Sequence, residues 1–287
     1  MQFVTAQSTA EAARLLADSG GAARVLAGGT DLLVQMKSGM VEPATVIDIK
    51  KIPGIMEITE EDGGYRIGAG VPGQMLGEHA GVLALWPGVV EGCELIGSTQ
   101  VQGRCTMAGN LCNGSPAADS VPPMVAAGAV ARIEGPDGRR DLAVADIPAG
   151  PGKLTLKPGE LITLIFLPGR PKRASDAYLR FIPRTEMDIA VASAAVSLEL
   201  AEDGTIATAR VALGAVGPKV ALVPDAAKAI EGTTLDEDAL EALAAACRAA
   251  CSPIDDKRGT VEFRTQVAGV LAKRAALIAK DRAGEKQ

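Results

Sequence analysis

A chain of 287 residues is long enough for about two domains and a sizeable buried core. With 29 basic against 35 acidic residues the net charge is −6, and aromatics make up only 2%, which disfavours a nucleic-acid surface built from basic stripes and stacking rings. No apolar run approaches the roughly 20 residues of a membrane span, and the five cysteines and single histidine form no CxxC pair or ligand cluster, so no metal site is expected from this chain alone.

The N-terminal segment MQFVTAQSTAEAARLL lacks the basic patch and apolar core of a signal peptide, and a cytoplasmic location is expected. Ser8-Thr9-Ala10-Glu11 has the form of a capping box and predicts a helix through Leu15 and Leu16, stopped by Gly20-Gly21. A strand over Arg24–Ala27 runs into Gly28-Gly29-Thr30-Asp31, then a helical segment, LLVQMKSG, ends at Gly39. Backbone N–H groups at a strand–glycine–helix junction favour an anion, although such glycines are more often plain turn punctuation. The turn is neither a Walker loop nor GxGxxG.

A strand over Thr45–Ile49, a Pro53-Gly54 turn and a hairpin in MEITEEDGGYRIGAGV come next. Helices are predicted over Gly73–Ala84 and Val89–Ile96, separated by Trp86-Pro87. Arg104–Asp119, RCTMAGNLCNGSPAAD, offers backbone donors and small side chains without bulk, and reads as backbone laid against a flat polar ligand. With so few rings available, such a ligand must be held by backbone, Gly, Ala, Ile and Leu. SVPPMVAAGA is read as helical beyond its prolines, ARIEGPDGRRDLAV as a hairpin, and Glu160–Pro168 as an apolar strand.

Gly169–Ala174, rich in Pro, Gly and basic residues, is the expected domain boundary. Beyond it come a long hairpin turning at Asp203-Gly204 and two helices, LDEDALEALAAACRAA and VEFRTQVAGVLAKRAALIAKDR. The tail AGEKQ is expected to fray. Cys112 and the Cys247/Cys251 pair read as small buried residues, and His79 as a surface or packing histidine. Asp188 is expected to pair with Arg184 or Arg180, or else to touch the ligand. The basic residues Arg264, Lys273 and Arg274 read as a solvated or subunit-facing surface. So many antiparallel hairpins argue for a mixed α+β protein and against a doubly wound Rossmann sheet.

Ala27-Gly28-Gly29-Thr30-Asp31-Leu32 with Thr106-Met107-Ala108-Gly109-Asn110-Leu111, continuing to Ser115-Pro116-Ala117-Ala118-Asp119, resembles the FAD-binding medium subunit of the molybdenum hydroxylases. That family includes xanthine dehydrogenase, aldehyde oxidase and carbon monoxide dehydrogenase. YLRFIPRTEMDIA and DDKRGTVEFRTQVAGVLAKR resemble its C-terminal flavoprotein domain. The resemblance implies a PCMH-type FAD-binding domain over 1–173, made of two α+β subdomains split near 55–60. A smaller α+β domain of antiparallel sheet and helices follows over 174–287.

The same resemblance implies non-covalent FAD. Arg24, Val25, Leu26, Ala27, Gly28, Gly29, Thr30 and Asp31 would wrap the pyrophosphate. Thr106, Met107, Ala108, Gly109 and Asn110 would form a second loop, and Asp119 would take a ribityl or ribose hydroxyl, since a carboxylate only accepts. Ile96, Ile162 and Arg180 match flavin-contacting positions. Ala108 stands where the family usually has Gly, Arg180 where lysine is frequent, and Gln102-Gly103-Arg104 where many relatives read Arg-Asn plus a small residue. The cysteine-bearing insertion of the 4-hydroxybenzoyl-CoA reductases is absent.

The function implied is that of an oxidoreductase electron-transfer subunit with no acid–base catalytic residue of its own. Electrons would come from a small [2Fe–2S] subunit, beside a large molybdopterin subunit, in a dimer of heterotrimers. They would leave to NAD or another acceptor. A flavin-free assembly module and a stand-alone FAD-dependent reductase are the alternatives.

Overall fold

A computed structural model describes residues 1–285. The chain opens with β1 (Gln2–Thr5), α1 (Thr9–Asp18), β2 (Ala23–Leu26), α2 (Leu32–Lys37) and β3 (Thr45–Asp48). The three strands pair in parallel in the order β1-β3-β2, with Val4 and Val25 both opposite Ile47. Neither β1 nor the parallel pairing is anticipated from the sequence, which has mostly antiparallel hairpin signals. Ser8 caps α1 by accepting the Glu11 N–H at 3.1 Å, while the Glu11 carboxylate takes the Gln7 N–H at 2.8 Å rather than that of Ser8. Gly20 and Gly21 end the helix with φ of +58° and +91°, values open to glycine at little cost.

Next is an antiparallel sheet ordered β4-β5-β10-β6-β7, formed by β4 (Ile58–Glu61), β5 (Gly64–Gly68), β6 (Val130–Gly135), β7 (Gly138–Ala143) and β10 (Leu161–Leu167). A small ribbon of β8 (Pro148–Gly150) and β9 (Lys153–Leu154) precedes β10. Between β5 and β6 lie short helices: α3 (Gly73–Gly77), α4 (Ala80–Leu85), α5 (Pro87–Glu94), α6 (Thr99–Gln102), α7 (Met107–Cys112) and α8 (Val121–Ala126).

Here the structure corrects three expectations. The single helix over 73–84 is two, because His79 has extended backbone and its Nδ1 accepts the Val82 N–H at 3.2 Å, starting a new helix. The small-residue stretch after Arg104 contains a helix, α7, started by Thr106. And α8 includes Pro122 and Pro123, which sit in its first turn, where no N–H is needed.

The second half holds β11 (Ala174–Phe181), β12 (Ala192–Leu200), β13 (Ile206–Gly214) and β14 (Ala221–Leu222), antiparallel in that order. The helices α9 (Pro224–Lys228), α10 (Glu237–Ala249) and α11 (Val261–Glu285) follow. Ala283–Glu285 of the expected frayed tail continue α11; Lys286 and Gln287 lie outside the described residues.

The period-2 pleat explains why β12 is made of small residues on both faces. Ala192, Ala194 and Val196 join one buried cluster with Ala268, Ala272, Ala275, Ala276, Ala279 and Ala283 of α11, where methyl groups on both sides let helix and strand approach closely. Ala195 faces the other way and joins the larger cluster that runs through the first half and includes Met124 and Val125 of α8. Arg210 of β13 ties the halves further: its guanidinium donates to the Val125 and Ala126 carbonyls, each at 3.1 Å, so the exposed-end carbonyls of α8 are satisfied.

Arg264 is not on a solvated face as expected. It is 4% exposed and donates to the Val191 carbonyl at 2.8 Å and to Asp256 at 2.6 Å. Lys273 does sit at the surface, within reach of Glu237 and Glu241. Replacing Arg264 with methionine leaves the carbonyl of the buried Val191 without this donor, while Asp256 is exposed to solvent. We expect about 2 kcal/mol of lost stability from the unpaired carbonyl, measured by urea unfolding; a loss below about 0.5 kcal/mol would be the size of a surface change.

Candidate functional site

A cleft of about 520 Å³ opens between the parallel sheet and the antiparallel sheet, a size typical of small-molecule sites. One wall is the β2–α2 turn, the other is α7. They touch at Gly28. A methyl group built there would lie 2.0 Å from the Arg104 carbonyl oxygen and 3.1 Å from the Cys105 Cα, so two backbones meet where only hydrogen fits. Gly29, at φ +78°, turns the chain into α2.

The backbone donors of this region are unusually free. No acceptor among the described residues takes the N–H groups of Gly28, Gly29, Thr30 or Asp31, nor those of Thr106, Met107 and Ala108. Helix starts leave their first N–H groups unpaired for geometric reasons, and Thr106 spends its hydroxyl on the Gly109 N–H at 2.9 Å. The cleft therefore presents two clusters of outward-available donors. Across the mouth, Gln35 of α2 donates to Asn113 at the end of α7 at 3.1 Å, linking the two walls.

Of the expected site residues, Arg24, Val25, Ala27, Gly28, Gly29, Thr30, Asp31, Ile96, Thr106, Ala108, Gly109, Asn110 and Ile162 all line this cleft. Leu26 and Met107 are buried directly behind it. Ala108 has ordinary helical backbone in the wall, so its methyl adds no strain. Asp119 and Arg180 stand apart from the lining and face each other. Arg180 Nη1 donates to one Asp119 oxygen at 2.6 Å, and the Tyr178 hydroxyl donates to the other at 2.8 Å. Asp188 pairs with Arg184 at 3.2 Å and Arg258 at 3.4 Å instead of Arg180.

Sequence reading did not include Leu154, Leu156, Met40 and Val41, which give the cleft apolar flank. Leu154 and Leu156 alternate with polar neighbours, a period-2 signal that could have revealed them; Met40 and Val41 carry none. Cys112 was expected to be buried and is exposed, lining the cleft. Cys105 also lines it, and burial pushes its thiol up to about 11, which keeps it protonated. Among the described residues no aromatic side chain lines the cleft.

The charged groups are few. Arg24 donates to the Gly21 and Ala23 carbonyls. Glu160 is held by two bonds from Arg140, which keep its carboxyl below the usual range. Partial desolvation pushes Asp31 upward. Among the described residues no three His, Cys, Asp or Glu side chains converge as metal ligands, and no helix is long and apolar enough to cross a membrane. The arrangement can hold a long polar ligand by backbone donors, with apolar flanks and little acid–base capacity.

Residues 1–170 match a family model described as the FAD binding domain in molybdopterin dehydrogenase, and residues 177–279 match the CO dehydrogenase flavoprotein C-terminal domain. The chain is 35% identical over 277 residues to the carbon monoxide dehydrogenase medium chain of Afipia carboxidovorans, covering 96% of each. It is 29% identical over 283 residues to the putative xanthine dehydrogenase FAD-binding subunit of Escherichia coli, covering 98% of this chain and 96% of that one. Among solved structures it is similar to the CO dehydrogenase of Oligotropha carboxidovorans, with a TM-score of 0.94, 34% identity and 98% of each chain covered.

Desolvation pushes the Asp119 carboxyl up to about 6, against the opposing pull of Arg180 and Tyr178. A folded value above the unfolded one means this group's contribution is fully present below about pH 4 and is lost as pH rises through about 6. The native chain should therefore lose stability relative to Asp119→Asn across that window, in urea titrations at each pH; a flat difference would show that Arg180 and Tyr178 offset the desolvation in full.

Proposed function

The chain belongs to the family of FAD-binding medium subunits of the molybdenum hydroxylases, and we propose that it serves such a complex as its electron-transfer subunit. It is an oxidoreductase subunit whose cofactor is FAD; molybdopterin and iron–sulfur groups belong to partner subunits of the family's multi-subunit complexes. When bound, FAD supplies reversible exchange of one or two electrons with neighbouring centres. In our reading this chain takes electrons from a small [2Fe–2S] subunit beside a large molybdopterin subunit. It passes them to NAD or another acceptor, in a cytoplasmic dimer of heterotrimers.

The observation that carries the site assignment is the pair of donor clusters at Gly28–Asp31 and Thr106–Ala108, joined where Gly28 meets Arg104. A diphosphate is an anion rich in acceptor oxygens and poor in shape, which unmatched backbone N–H groups suit. We assign Arg24–Asp31 to that diphosphate. Thr106–Asn110 form the second loop, and Ile96 and Ile162 give the ring system apolar contact. We also assign Asp119 and Arg180, which pair with each other outside the cleft lining, to the cofactor's site. We assign residues 1–173 to FAD binding, with subdomains parting near 55–60, and 174–287 to the C-terminal domain.

This chain's part in the chemistry is then to bind, orient and exclude. Among the described residues the cleft offers Asp31 and Glu160 as its only carboxylates, and Glu160 is occupied by Arg140.

Gly28→Ala should lower the flavin-to-protein ratio of the purified chain several-fold, read from its visible spectrum, with unchanged far-UV circular dichroism. Gly103→Ala, whose added methyl meets nothing closer than 3.5 Å, should keep native flavin content. Full occupancy in Gly28→Ala would remove the diphosphate from this turn.

A further inference from the structure

Asp119 has both carboxylate oxygens engaged by protein, one by Tyr178 and one by Arg180. The pleat explains the geometry: Tyr178 and Arg180 are two apart on β11 and project to the same face, opposite Ala195 and Ser193 of β12. That face looks toward the first half of the chain. Asp119 is 7% exposed and Tyr178 2%, so this contact is dry.

The next residue continues the connection toward the cleft. Ser120 is fully buried, and both its N–H and its hydroxyl donate to the Asn110 side-chain oxygen, at 3.2 and 2.8 Å. Asn110 is on α7 and lines the cleft. The loop between them is fixed from the C-terminal sheet as well, since the Ala215 N–H donates to the Pro116 carbonyl at 2.8 Å. Hydrogen bonds at either end and the peptide link between Asp119 and Ser120 therefore connect β11 to the cleft wall.

We propose that Tyr178 and Ser120 are positioning residues of the cofactor site, through which the C-terminal sheet holds α7 and its free N–H groups at the spacing FAD requires. The proposal rests on the reading that this cleft binds FAD. Neither residue lines the cleft. Tyr178 orients Asp119, Asp119 anchors the loop, and Ser120 passes that anchor to Asn110. Hydrogen bonds to a charged, desolvated acceptor are the strong kind, and they reinforce one another in a dry network. The C-terminal half would thus set cofactor retention without contributing a wall to the cleft.

The full chain, stripped of flavin, is titrated with FAD by fluorescence, and its melting temperature is recorded without FAD. Tyr178→Phe and Ser120→Ala should each weaken the FAD dissociation constant about tenfold, the loss expected for one hydrogen bond to a charged or networked acceptor. Their combination should weaken it by less than the product of the two, because both act on the same wall. Tyr65→Phe, which removes a hydroxyl bonded to Glu60 at 3.4 Å away from the cleft lining, should leave it unchanged.

A purely structural role predicts lower melting temperatures with FAD affinity of the folded protein held within about twofold, and that result would overturn the proposal. If Tyr178→Phe fails to fold, Ser120→Ala decides alone, since it removes a hydroxyl that acts only through Asn110. A native chain that takes up no FAD would instead overturn the cofactor reading, which the titration shows before any variant is compared.

Discussion

The absence of a side chain at Gly28 is the constraint on which the site depends. The Arg104 carbonyl occupies space that any β-carbon would need. Two segments far apart in sequence can therefore abut as bare backbone, and each brings a helix start with unpaired N–H groups. A polar ligand meets both clusters at once. The same close approach keeps the cleft narrow without bulky side chains, which suits a chain with 2% aromatics. Where other proteins stack rings on a planar ligand, this one brings backbone, alanine and aliphatic side chains up to it.

Small residues serve a related purpose in the second half. The alanines of α11 and β12 let helix and strand pack closely, and the resulting sheet is thin enough for its other face to pack on α8. That face carries Tyr178 and Arg180 toward Asp119. A buried carboxylate with raised pKa is costly in stability terms. Its retention makes sense as geometric specification: the Asp119 contact admits one relative placement of β11 and the loop before α8, and it is satisfied on both oxygens.

Local chemistry made much of the fold legible. The Asp-Gly turns, the Ser8 cap, the apolar strand Leu161–Leu167 and the amphipathic α10 follow from residues close in sequence, so pattern alone finds them. What escaped depends on distant partners. β1 is four residues long and exists because β3 pairs with it in parallel. His79 looked like a packing residue because nothing in its neighbours announces an imidazole cap. α7 read as irregular because it is only six residues long and has Gly109 and Asn110, both weak helix formers, at its centre, while Thr106 at its start was seen only as part of a loop. The cleft was legible where motif and turn coincide, at Gly28–Asp31 and Thr106–Asn110. The apolar flank at Met40 and Val41 was not, since a short connecting segment has no periodicity to read. The Asp119–Arg180 pairing joins residues 61 apart from different sheets and loops, and only the fold reveals it.

The cleft's electrostatics also fit a cofactor-holding role. Its cysteine Cys105 is held as a thiol by burial, Glu160 is neutralised by Arg140, and Asp31 is pushed toward its neutral form. These three groups are quieted by their surroundings, while the backbone donors are left unmatched. Evolution of a catalytic acid or base would require the reverse, an accessible titrating group poised against a second one. A site that silences these side chains and offers fixed dipoles is suited to hold a redox cofactor in a constant environment.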